Sequence, residues 1–205
     1  MRVQHRLAAI ALILAACAAA AAAVSVEQKR ERLRMLRTQA FRHENLSVLD
    51  AAYLDAFTLL EQKAACREFF GGSGAEDALE ALVLELRERR ISDSRVGIRM
   101  WGSFTIFASS PDNFSYRLFQ YAELNTEGPF RKAKVFAADP FVPRVGSFQP
   151  NSRQARVLIL FHELAHLIQG KEGRWLIPDD GENPGLSSQN TATVESHCGK
   201  QIRAL

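Results

Sequence analysis

The 205-residue chain is poor in several features that would mark a special class of protein. It has three cysteines and no pair at CxxC spacing, which excludes a cysteine-ligated zinc knuckle. Its formal net charge is +3. Without Arg2 and Arg6 that falls to +1, too little to point to nucleic acid or an anionic membrane as a partner. No internal repeat is present, and no low-complexity stretch follows residue 24. Gly71-Gly72-Ser73-Gly74 lacks the Lys-Ser/Thr pair of a phosphate loop and reads as a turn. What remains is an ordinary globular mixture, 47% apolar and 24% charged, of a length that suits one domain or one domain with an appendage.

The N-terminus departs from that mixture. Arg2 and Arg6 precede an apolar, alanine-rich run over residues 7–24, the pattern of a secretory signal covering 1–24. A transmembrane anchor is the rival reading, weakened by the alanine content. Leu14-Ala15-Ala16-Cys17 resembles a bacterial lipobox, which would place a lipid anchor on Cys17. Cleavage later in the alanine run is the alternative. Both readings make the protein exported, either periplasmic or secreted, or held at a membrane as a lipoprotein. Cys66 and Cys198 then remain, as a disulfide or as two buried thiols.

The mature chain, 25–205, reads as a helical part over 26–91 and a strand-rich, chemistry-bearing part over 92–205. Residues 26–45 have Leu33, Leu36 and Phe41 at helical spacing, with basic side chains interleaved with Glu27, Glu31 and Glu44 on a solvated face. Further helices are expected over 47–68 and from about Ala75 to Arg90. Short strands are expected at Val96–Trp101, Phe104–Phe107 and Lys134–Ala137, whereas 112–124 suits either strand or helix. Asn151-Ser152 and Gly170 bracket a helix over 152–169 whose centre, Val157 to Phe161, is apolar all round, so that it should be buried. A loop over 171–189 should lead to a last helix from Asn190 or Thr191, with Asn190 as its cap.

Inside the buried helix stands His162-Glu163-Leu164-Ala165-His166. Histidines four apart lie one turn apart on one face and can reach one ion, and neutral imidazole suits zinc. Glu163 is turned away by about 100°. It is better placed as a general base toward metal-activated water than as a ligand. A chance HExxH arises in roughly one such chain in a hundred, so context decides. Three ionisable groups in so apolar a helix are costly unless partnered.

These residues resemble the zincin metallopeptidases. The resemblance implies an α+β fold in which N-terminal helices and a small mixed sheet accompany the buried HExxH helix and a C-terminal helix. It also implies Zn2+ as cofactor, a peptide or protein substrate, and an edge strand lining the cleft, for which 134–138 and 145–149 are candidates. A catalytic zinc takes three protein ligands and one open position. Asp180, 14 residues past His166, is the preferred third ligand, with Asp179 beside it. This resembles the aspzincins, the deuterolysin and lysine-specific endopeptidase group, although the chain lacks their GTxDxxYG hallmark. Glu195, 29 residues past His166, is the gluzincin-like alternative. His197 is a further ligand candidate, or with Tyr121 an oxyanion stabiliser. Asn190 could also help to hold such a site. Two other functions stay open: a zinc-bound but inactive peptide-binding module, and an exported or lipid-anchored binding protein with a coincidental HExxH.

Overall fold

A computed structural model describes residues 27–38, 46–62, 64–109, 114–133, 142–170 and 172–205. The expected signal with Cys17, His43 and the expected strand at 134–138 lie outside the described residues. The chain falls into two compact units, Met1–Phe41 and Arg42–Leu205. The described part of the first is a helix, α1 (27–38). Arg30 donates to Glu27 at 2.8 Å, and Arg34 lies 3.5 Å from Glu31. Such pairs support a solvated helix face.

With α1, the described residues hold six helices and a small mixed sheet. In the second unit, α2 (Val48–Gln62) begins with a reciprocal cap. The Ser47 hydroxyl accepts from the Asp50 amide at 3.1 Å and donates to the Asp50 carboxylate at 2.7 Å. The helix expected over 47–68 is two helices, α2 and α3 (Ala64–Phe69). Cys66 on α3 forms a disulfide with Cys198, their Cα atoms 4.7 Å apart.

Helix α4 (Ala75–Glu85) follows the glycine turn. Gly74 has φ +103°, and a Cβ there would lie 2.6 Å from the Phe114 ring, so the position takes only glycine. The helix expected to run to Arg90 stops at Glu85. Leu86 turns extended, and Arg87–Arg89 form β1, parallel to the end of β3 (Phe114–Asn125). Open backbone partners on β3 outweigh the local helical preference of Arg-Glu-Arg.

The two short strands expected near 96–107 form one strand, β2 (Ile98–Ser109). It pairs antiparallel with β3 from Ile98↔Leu124 to Ser109↔Phe114, with an irregularity between Trp101 and Phe104. There Gly102 has φ +89°. The undecided segment 112–124 is therefore mostly strand. β4 (Ile168–Gln169) pairs antiparallel with Ser115 and Tyr116. Because β2 occupies one edge of β3, β1 and β4 share the other. Residues 145–149, a candidate edge strand, form a tight turn bridged by Val145 and Phe148, outside the sheet.

Helix α5 (Arg153–Leu167) is the centre of this unit. Ser152 caps it, accepting from the Ala155 amide at 3.1 Å. Val157, Leu158, Leu160, Phe161, Leu164, Ala165 and Leu167 are wholly buried, packed among α2, α4, β3 and α6 (Pro184–Arg203). Arg153 donates twice to the buried Asp55 carboxylate of α2, at 2.6 Å each. The helix ends two residues earlier than expected because Ile168 turns extended and joins β3. α6 begins six residues earlier than Asn190: Asn183 is its cap, accepting from the Gly185 and Leu186 amides, and Pro184 is its first residue. Asn190 is an interior residue of this helix rather than its cap.

The disulfide joins positions 132 residues apart. Replacing both cysteines should lower unfolding free energy by roughly 4–5 kcal/mol in the chain-entropy account. Urea unfolding should show this as a fall in midpoint, matched by the reduced wild-type protein.

Candidate metal centre

His162 and His166 lie one turn apart on α5, 6% and 4% exposed, with their Nε2 atoms 3.1 Å apart. Asp180 comes to them from the loop between β4 and α6. Its Oδ2 lies 3.1 Å from His162 Nε2 and its Oδ1 3.5 Å from His166 Nε2. Among the described residues, His162, His166 and Asp180 are the group whose donor atoms gather closely enough to hold a metal ion.

Three contacts fix the loop that brings Asp180 in. Ile177 is buried in the core. Asn190 on α6 donates to the Pro178 carbonyl at 2.9 Å. Arg117 on β3 donates to both carboxylate oxygens of Asp179 and, at 3.0 Å, to the His166 carbonyl. Asn190 thus holds the neighbour of the Asp179–Asp180 pair.

Thr191 on α6 orients one imidazole. Its hydroxyl donates to the Ser187 carbonyl at 2.9 Å, so toward His162 its oxygen accepts, and His162 Nδ1 donates at 3.0 Å. In the neutral imidazole this leaves the His162 Nε2 lone pair facing a carboxylate oxygen. His166 Nδ1 is buried without a hydrogen-bond partner. With neutral imidazoles, a cation among the facing atoms relieves their repulsion. The donor set fits a metal.

Burial pushes Asp180 up, but hydrogen bonds and charge from His162 and His166 outweigh it and hold the carboxyl below the ordinary aspartate range. For Glu163, burial dominates and raises the pKa from 4.5 to about 7, with Asp180 adding to the rise and His162 opposing it.

The other candidates lie elsewhere. Glu195 accepts from the Ser147 amide at 3.0 Å, from the Ser147 hydroxyl, and from Arg203 at 3.2 Å, tying α6 to the 145–148 turn. Thr191, one turn earlier on α6, is the residue that reaches His162, and Glu195 falls beside Gly146 and Leu158. His197 stacks on Phe69 at 4.3 Å between ring centroids. Tyr121 is exposed and stacks on Trp101 at 5.1 Å. Sequence reasoning did not find Thr191 or Arg117. An arginine among the apolar and aromatic residues of β3 was the one available signal, and a weak one.

Comparison with known proteins finds no match: no family model, curated protein or solved structure is similar to this chain.

A raised carboxylate pKa has a defined sign in stability. The folded protein holds the Glu163 proton up to about pH 7 and the unfolded chain only up to about 4.5. The stabilisation is therefore full below about pH 4.5 and declines as pH rises to about 7. Metal-stripped wild type should lose on the order of 3 kcal/mol across this window relative to metal-stripped Glu163→Gln. Urea titrations of both proteins at the two ends of the window check it.

Proposed function

We propose that the protein is an exported zinc-dependent metallopeptidase of the zincin type, hydrolysing peptide bonds. One observation carries the reading: His162, His166 and Asp180 converge beside Glu163 on a buried HExxH helix. Ligand atoms about 2 Å from a tetrahedral zinc lie about 3.3 Å apart. The two imidazole Nε2 atoms, 3.1 Å apart, lie near that value, and with one carboxylate oxygen of Asp180 taken the three donors lie within 4.8 Å of one another. Two imidazoles and one carboxylate also match the ligand types of catalytic zinc, and an aspartate beyond the motif helix resembles the aspzincin arrangement. The basic and apolar N-terminus supports export, and the Cys66–Cys198 bridge suits an oxidising compartment.

Each residue then has a defined task. His162, His166 and Asp180 hold the ion. When bound, zinc acts as a Lewis acid on the scissile carbonyl and makes water a better nucleophile at neutral pH. The Glu163 carboxylate takes the proton from the attacking water and passes it to the departing amine nitrogen. Thr191 keeps the His162 lone pair directed at the ion.

Metal analysis of purified protein tests this. Wild type should carry about one zinc per chain. His162→Ala and Asp180→Ala should lose it, and Glu195→Ala should keep it. Glu163→Gln should keep zinc and lose about 10²–10⁴-fold in cleavage of a peptide library. No zinc in wild type after reconstitution would overturn the reading. Zinc with peptide binding but no cleavage would make the protein an inactive module, and undiminished cleavage by Glu163→Gln would remove it from the mechanism.

A further inference from the structure

Among the described residues, Arg117 is the largest wholly enclosed side chain, 2% exposed near the start of β3. A guanidinium removed from water is costly unless its donors are matched. Here Nε donates to the His166 carbonyl at 3.0 Å, Nη1 donates to Asp179 Oδ2 at 3.2 Å, and Nη2 donates to Asp179 Oδ1. Aromatic rings enclose the group: Trp175 at 4.1 Å, Phe119 at 4.8 Å and Phe104 at 5.1 Å. One buried cation therefore joins the last turn of the motif helix, the β2–β3 pair and the loop that carries both aspartates.

The two aspartates make this more than bracing. Asp179 and Asp180 are adjacent and approach opposite edges of the His166 ring, Asp179 with its side chain more than half exposed. Asp180 Oδ1 is 3.5 Å from its Nε2, and Asp179 Oδ1 is 3.9 Å from its Nδ1. Both are carboxylates of the type that binds a metal, so sequence chemistry alone does not choose between them. Arg117 engages both oxygens of Asp179 in the bidentate geometry that lysine cannot reproduce. That occupies Asp179 and leaves Asp180 turned to the histidines.

We propose that Arg117 is a positioning residue that selects Asp180 as the third metal ligand by sequestering Asp179. This rests on the metal-centre reading above. Released from Arg117, Asp179 competes for the ion, and the coordination sphere becomes mixed.

Cobalt(II) is the probe, because its visible absorption reports coordination geometry and its affinity can be measured against a chelator. Arg117→Met should weaken cobalt binding by about 10–100-fold and change the absorption from the wild-type tetrahedral pattern toward higher coordination. Arg117→Lys should fall between the two. Arg117→Met combined with Asp179→Asn should recover the wild-type spectrum and an affinity within about threefold of wild type, a rescue that loss of structural bracing would not give. Asp179→Asn alone covers the case in which Arg117→Met does not fold. It should keep the wild-type spectrum, whereas loss of cobalt in this variant would make Asp179 itself the ligand and overturn the proposal. A wild-type spectrum and affinity in folded Arg117→Met, or no recovery in the double variant, would also overturn it. If cobalt binding depends on His162 but ignores Arg117, the metal-centre reading stands and this inference alone falls. No cobalt uptake by wild type overturns both.

Discussion

Burial of α5 is the constraint from which the rest of the second unit follows. A helix whose central turns are wholly enclosed cannot carry imidazoles and a carboxylic acid without partners for them. The imidazoles find Thr191 on α6 and Asp180 on the intervening loop, and Asn190 and Arg117 hold that loop in place. With neutral imidazoles, the donors at the centre face one another, and a cation among them would relieve their repulsion.

α6 serves both structure and site. At one level Thr191 orients His162 and Asn190 fixes the loop before Asp179. Farther along, Glu195 secures the 145–148 turn and Cys198 bonds to α3. Because α6 is tied covalently and packs along α5, its contacts to the site do not depend on a free, fraying terminus. The Arg153–Asp55 pair, in which Asp55 is buried and Arg153 exposed, secures the start of α5 against α2 in a similar way, leaving the motif histidines on the last turns, where the loop can reach them.

The sequence was most legible where the physics is local. Ser152, the apolar run 157–161 and the i, i+4 histidines mark α5 and its face without any other part of the chain. Cys66 and Cys198 were a natural pair once both were read in an exported protein. The extent of α4 and the start of α6 were not legible. Arg87–Arg89 leave the helical pattern because β3 offers hydrogen-bond partners, and α6 starts at Pro184 because Asn183 caps it in place of Asn190.

The acid that faces the two histidines shows where sequence reading ends. Two adjacent aspartates and a glutamate one helix away have the same donor chemistry, and spacing along the chain ranks them only loosely. By itself the sequence determined that one buried helix presents two imidazoles and a carboxylic acid at metal-binding spacing, because helical periodicity is a property of the chain alone. Tertiary structure decided which acid faces them. The antiparallel packing of α5 and α6 carries Glu195 a turn past the histidines, Arg117 pairs with Asp179, and Asp180 is the carboxylate that faces both imidazoles.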